Sequence, residues 1–162
     1  MRGQTTRMVL CGAAGALVAL ATLFLRVPVP MMNGYCNLGD AVILASGALL
    51  GPLAGVAAAV GGGLADLLAG FGVYAPVTVA IKGVMGWVAG TCCAKARTTA
   101  ARLLWMLGTE IWMAAGYFAF EAILYGLPAG VANLPGNGLQ GVVSVTAALA
   151  LWPLTIRMKQ TI

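Results

Sequence analysis

Residues 37–83 read NLGDAVILASGALLGPLAGVAAAVGGGLADLLAGFGVYAPVTVAIKG, and they decide what kind of molecule this is. Across the stretch only Asp40, Asp66 and Lys82 are charged. The apolar run breaks at Gly51-Pro52 and again over Gly70–Ala75. Proline is favoured in the first turn of a helix, where its missing N–H costs nothing. Pro52 and Pro76 therefore read as helix starts, which predicts three apolar helices over Asn37–Leu50, Pro52–Ala69 and Pro76–Ala94.

The same reading extends in both directions. Met8–Leu25 is one apolar run behind Arg2 and Arg7, too long for the core of a signal peptide and read as a first span. Val27–Cys36 (VPVPMMNGYC) is a proline-rich loop. Lys95–Arg102 is a polar connector, Leu103–Tyr125 a fifth span, Gly126–Gly136 a loop and Asn137–Ile156 a sixth span.

Composition agrees. The chain has 162 residues, of which 61% are hydrophobic and 8% charged, with a mean hydropathy of +0.96. Soluble domains carry about 25% charged residues. So little charge cannot cover a water-facing surface, which excludes an ordinary cytosolic enzyme and a disordered chain. A spanning helix needs about 20 apolar residues, so six would occupy about 120. The fold class expected is an all-α membrane protein, a six-transmembrane-helix bundle forming one transmembrane domain over residues 1–162.

Basic residues orient it. Arg2, Arg7, Lys95, Arg97, Arg102, Arg157 and Lys159 fall on one side of such a bundle, and only Arg26 and Lys82 do not. Cytoplasmic loops carry the excess of Lys and Arg. Both termini are therefore expected in the cytoplasm, with 27–36, 70–75 and 126–136 facing outward.

Several chemistries are excluded. There is no histidine, so neither histidine catalysis nor a histidine-ligated metal is available. The cysteines, Cys11, Cys36, Cys92 and Cys93, form no CxxC and read as small buried thiols. No GxxxxGK[ST] phosphate loop occurs. The net charge of +5 is spread over helix ends and not gathered in a patch, so no nucleic-acid partner is expected. No cofactor, no metal and no enzymatic activity are expected.

Small residues mark packing faces: Gly12/Ala16 and Gly15/Ala19 on the first helix, and Ala54, Ala58 and Gly62 on the third. Such faces let helix backbones approach closely, within the bundle or against another membrane protein.

The polar residues point to function. Charged groups within spans are costly and face a bundle interior or a cavity. At 1.5 Å per residue, Lys82 lies about 9 Å and Glu121 about 6 Å below the outer ends of their helices. Glu110 lies deeper, and Arg102 is a candidate partner two turns away. Glu110, Tyr117 and Glu121 share one stripe of the fifth helix, Asn137, Gln140 and Ser144 one face of the sixth, and Thr78 and Lys82 one face of the fourth. Three polar stripes, richest near the outer surface, predict an outward-opening pocket. Candidate substrate-binding residues are Lys82, Tyr117, Glu121, Asn137, Gln140, Asp40 and Thr78, with Tyr35 and Asn33 of the first loop placed to cap them. The plain alternative is that these groups only satisfy one another, for example through a Lys82–Glu121 pair. With one cation against several acids, a neutral or weakly basic heterocycle suits the pocket better than an anion.

The run at 37–83, together with GYFAFEAILYG (116–126) and NLPGNGLQG (133–141), resembles the S components of energy-coupling-factor (ECF) vitamin transporters over nearly the whole chain. The resemblance implies six helices, a pocket roofed by the first loop, and ligand contacts at Lys82, Tyr117, Glu121, Asn137 and Gln140. It also implies docking of the first helix, here through Gly12-xxx-Ala16, on a transmembrane T subunit powered by two ATPase subunits. The implied setting is a bacterial plasma membrane, with membrane lipid around a multi-pass protein. The implied function is the substrate-specific subunit of an ATP-driven importer for a vitamin or precursor, a small heterocycle such as hydroxymethylpyrimidine or pyridoxine. Alternatives are a riboflavin-specific S component or a standalone proton-coupled secondary transporter using Asp66, Glu110 and Glu121.

Overall fold

The computed structural model describes residues 2–28 and 35–161, with side chains for 3–25 and 37–161. Six α-helices account for most of these: α1 (Arg2–Phe24), α2 (Gly39–Leu50), α3 (Ala54–Leu68), α4 (Ala75–Val88), α5 (Thr99–Tyr125) and α6 (Leu127–Thr161). Five stretches are long and apolar enough to cross a membrane, with α2 and α3 together forming one of them, Gly39–Leu68. Strands β1 (Arg26–Pro28) and β2 (Tyr35–Asn37) pair antiparallel between α1 and α2, with Pro28 opposite Tyr35.

The breaks fall where local chemistry puts them. Gly51 at φ 60° turns the chain out of α2, and a 3₁₀ turn, Gly51–Leu53, leads into α3. Gly70 at φ 82° ends α3. There the Phe71 N–H donates to Asp66 O (2.8 Å) and the Gly70 N–H to Leu67 O (3.3 Å), the paired bonds of a Schellman cap. Pro76 stands in the first turn of α4, as its position predicts. The far end of α4 widens into a π-helical turn, Ala89–Cys93. Thr98 caps α5, its hydroxyl accepting from the Ala101 N–H at 3.1 Å.

Neighbour relations fix the helix directions. Gly15 lies against Ala57 and Gly61 against Gly15 and Val18, so α1 and α3 run parallel. Gly39 meets Thr22, placing the start of α2 beside the end of α1. Gly47 meets Ala89 while Gly86 meets Ala54 and Gly62 meets Lys82, so α4 is parallel to α2 and antiparallel to α3. α2 and α3 thus reverse direction at Gly51 and do not form one continuous rod. Gly116 against Ile81 and Gly130 against Phe118 complete an alternating up-and-down bundle. Its start and end lie together, at the end that also carries Lys95, Arg97 and Arg102.

One expectation needs correcting. Residues 127–136, read as a loop, are helical, and α6 begins immediately after Gly126 (φ 93°). Pro128 sits in the first turn, where it is tolerated, and Pro135 lies inside the helix. Gly130 lets α6 press on the backbone of Phe118, so packing on α5 holds a segment that local breaker signals would release. The whole helix, 35 residues, is about 52 Å long at 1.5 Å per residue.

Hydrocarbon fills the basic half of the bundle. Leu44, Ala48, Ala89, Cys93, Met106, Val145, Ala148 and Trp152 form one cluster there, and Ala14, Leu50, Ala54 and Ala57 another. Arg102 closes this end, donating to Cys93 O (3.4 Å) and Ala96 O (3.2 Å) with its guanidinium 4.6 Å from the Trp152 ring. Val18, Ile43, Ala58, Ile81, Met85 and Met113 form a third cluster at mid-bundle, and Asp40, Thr78, Lys82, Tyr117 and Glu121 lie beside it and toward the opposite end.

Candidate substrate-binding site

All four acidic residues of the chain, Asp40, Asp66, Glu110 and Glu121, stand on apolar helices. Asp40 is fully buried in the first turn of α2, where the helix dipole favours a negative charge. Its Oδ1 lies 2.5 Å from Lys82 Nζ of α4, and its Oδ2 accepts from Gln140 Nε2 of α6 at 2.6 Å. Gln140 Oε1 in turn accepts from both the backbone N–H (3.1 Å) and the side-chain Nδ2 (3.0 Å) of Asn37, the last residue of β2. Asn37 Oδ1 also accepts from the Gly39 N–H at 3.0 Å. A continuous line of hydrogen bonds therefore joins the strand pair to α2, α4 and α6. Buried polar groups must be partnered to be tolerated, and here each partner comes from a different element.

Above this line, toward the strand pair, Thr78 and Tyr117 share a hydrogen bond of 2.9 Å, and Lys82 Nζ lies 5.4 Å from the centre of the Tyr117 ring. Further out, the Tyr74 hydroxyl donates to Glu121 Oε1 at 3.4 Å. Tyr74 also packs edge-on against Phe120, 5.2 Å between ring centres, with Tyr125 at 6.4 Å. Burial, with Glu121 and Tyr125 beside it, raises the phenol of Tyr74 above its ordinary range, so it is a hydrogen-bond donor at neutral pH.

Several expectations about partners change. Lys82 pairs with Asp40 and not with Glu121, because Asp40 enters at the top of α2 directly beside α4, whereas Glu121 lies level with Tyr74. Arg102 does not reach Glu110; it caps backbone carbonyls at the basic end. Glu110 instead lies against Gly141 of α6, within electrostatic reach of Asp40 and Lys82. Thr78, Lys82, Glu121 and Gln140 are buried, Tyr117 and Asn137 half-buried. Asn33 and the side chain of Tyr35 lie outside the described residues. Asn37 was missed by sequence reasoning; its position in the NLGD motif was the available signal.

The two small-residue pairs of α1 face different ways. Gly15 and Ala19 are buried, with Gly15 against α3, while Gly12 and Ala16 are exposed and no atom stands within 4 Å of a Cβ placed on Gly12.

The arrangement is a buried ion pair and its hydrogen-bonded neighbours, with the Glu110 carboxyl and the Ser144 hydroxyl left without a hydrogen-bond partner among the described residues. The sequence profile of the ECF-type riboflavin transporter S component family matches residues 2–157. The chain belongs to this S component family. An uncharacterised protein of Pyrococcus woesei, encoded in a gap 3′ region, is 36% identical over 132 residues, covering 79% of this chain and 86% of that protein. An S component is a substrate-binding subunit of a transporter and not an enzyme. Membership implies a vitamin substrate, an energising module of T subunit and ATPases, and a multi-pass membrane setting.

Proposed function

We propose that this S component binds a neutral, nitrogen-rich vitamin heterocycle at the outer half of the bundle and delivers it through an ATP-driven ECF module in the plasma membrane. The observation that carries the reading is the Asp40–Lys82 ion pair, extended by Gln140 and Asn37. It cancels the one cation among the polar groups and leaves carboxyls at Glu110 and Glu121. An anionic vitamin would find acids and no uncommitted positive charge among the described residues of this cluster. A neutral ring with N–H and hydroxyl groups would find acceptors at Glu121, donors and acceptors at Asn137, Thr78 and Tyr117, and aromatic faces at Tyr117 and Tyr74.

In this reading α2 and α3 each cross the membrane, making six spans. Arg2, Arg7, Lys95, Arg97, Arg102, Arg157 and Lys159 mark the cytoplasmic end. Gly12 and Ala16 form the face that docks on the T subunit, and ATP-driven change in that partner favours a state of lower ligand affinity. The family profile makes riboflavin the first ligand to test. Hydroxymethylpyrimidine and pyridoxine are the second, as small neutral or weakly basic heterocycles with ring nitrogens and hydroxyl groups.

Isothermal titration of the purified protein with riboflavin, pyridoxine and hydroxymethylpyrimidine, on wild type and Glu121→Gln, tests the reading. We expect one of the three to bind and the variant to bind it about tenfold more weakly, or about 1.4 kcal/mol. Binding of none, or the same affinity in Glu121→Gln, would sink the assignment. Uptake into vesicles that lack the ATPase module would favour a standalone proton-coupled transporter instead.

A further inference from the structure

Among the described residues, Glu110, Ser144 and Trp152 are buried with no hydrogen-bond partner at any side-chain polar atom, and Trp152 lies in the hydrocarbon cluster at the basic end. Glu110 of α5 is 6% exposed, and neither carboxyl oxygen has a hydrogen-bond partner among the described residues. Ser144 of α6 is fully buried, and its Oγ likewise has none. Glu110 and Ser144 are neighbours through Gly141. A Cβ placed on Gly141 would stand 3.0 Å from Glu110 Cβ and 3.5 Å from Glu110 Oε2, and Ser144 follows one turn along the same face. Glycine at 141 is what lets the carboxyl reach the α6 backbone at all. The polar groups around them are directed elsewhere. Asp40 has both oxygens engaged, Lys82 faces Asp40, and Gln140 uses both ends of its amide. Thr109, beside Glu110 in sequence, donates to the Met106 carbonyl.

A protein of this size leaves very few buried polar groups unpartnered, and each one needs an explanation. Two on facing helices, next to the ion pair, have the character of a subsite that is complete only when occupied. The Glu110 carboxylate only accepts, and the Ser144 hydroxyl accepts as well as donates, so one N–H or O–H donor placed between them satisfies both. Resting on the reading of this chain as a vitamin-binding subunit, we infer that Glu110 and Ser144 hold the innermost N–H or O–H donor of the ligand. This makes them specificity-determining residues that select a heterocycle bearing an amine, ring N–H or hydroxyl at its buried end and reject one bearing a carboxylate there.

A subsite of this kind has a signature that a structural role lacks. Removing an unsatisfied buried acid relieves the empty protein while weakening the complex. The experiment measures the melting temperature of the empty full-length protein and its dissociation constants for riboflavin, pyridoxine and hydroxymethylpyrimidine. It compares wild type with Glu110→Gln and Ser144→Ala. We expect Glu110→Gln to melt a few degrees higher when empty, yet to bind the ligand that wild type holds about tenfold more weakly; Ser144→Ala should lose about threefold. Unchanged affinity in both variants, with wild type binding, overturns the subsite and leaves the vitamin-binding reading intact. Loss of melting temperature and affinity together in Glu110→Gln also overturns it, since Glu110 would then be holding α5 to α6. If wild type binds none of the three, the ligand reading falls and the subsite falls with it.

Discussion

Lys82 and Asp40 stand 42 residues apart in the chain, yet Lys82 Nζ meets Asp40 Oδ1 at 2.5 Å in the interior of the bundle. The pair exists because α2 and α4 run parallel, with the first turn of α2 beside the outer half of α4. Removing one partner strands the other charge among hydrocarbon.

Lys82→Met is therefore expected to destabilise the protein by about 3–5 kcal/mol, the range for breaking a buried pair by deleting one member. Combining it with Asp40→Asn removes the stranded charge and keeps an acceptor for Gln140 Nε2, so most of the loss should return. Thermal unfolding in detergent for the two single variants and the double variant measures the coupling. Strictly additive losses would mean that the two residues do not share an interaction.

Gln140 is the joint between the buried pair and the strand pair. Its Oε1 takes both donors of Asn37 while its Nε2 serves Asp40. Gln140→Leu cuts that joint without adding charge. We expect the backbone amide of Asn37 to exchange with solvent at least tenfold faster, with little change at amides of α3. Hydrogen exchange followed by mass spectrometry checks this, and equal protection at Asn37 in both proteins would count against the joint.

These connections show what sequence could and could not reveal. The helix starts at Pro76 and after Gly51-Pro52 were legible because proline and glycine act locally. So were the polar faces of α4, α5 and α6, since side-chain direction follows the helical repeat. The choice of partner was not legible. Lys82 had Asp40 and Glu121 at comparable depth by residue count, and only the entry of α2 next to α4 decides between them. The start of α6 was misread for a related reason: GLPAGVANLPGNG carries every local signal of a loop, and packing of Gly130 on Phe118 overrides it. Spacing along one helix offers Arg102 as a candidate partner for Glu110, whereas its neighbours come from α2, α4 and α6.

Helix contacts in this bundle are made through backbone as much as side chains. A Cβ on Gly47 would stand 2.5 Å from the Ala89 carbonyl carbon, and one on Gly55 2.8 Å from Gly83 O. Backbone cannot move aside as a flexible side chain can. Gly47→Val should force α2 off the π-helical turn at a cost of about 1–3 kcal/mol or more. Its melting temperature should fall accordingly, and a variant as stable as wild type would show that α2 and the Ala89–Cys93 turn do not press together.

Gly12 and Gly108 offer the opposite case. Both are exposed on membrane-spanning helices, α1 and α5, and a Cβ at either meets nothing within 4 Å. Leucine at either position clashes with nothing in the chain itself, and its better helix propensity is worth up to about 0.8–1 kcal/mol. Neither variant should therefore lose stability or vitamin affinity. They should differ once the energising module is present. Gly12 stands one turn from Ala16 on the face proposed to meet the T subunit, where close helix approach depends on small residues. Gly108 has no such small partner, since Trp112 follows it one turn later. Co-purification with tagged T subunit should fall at least tenfold for Gly12→Leu and hold for Gly108→Leu. Equal retention of both would move the docking face away from α1, and equal loss of both would mean that the T subunit wraps more of the bundle than one helix face.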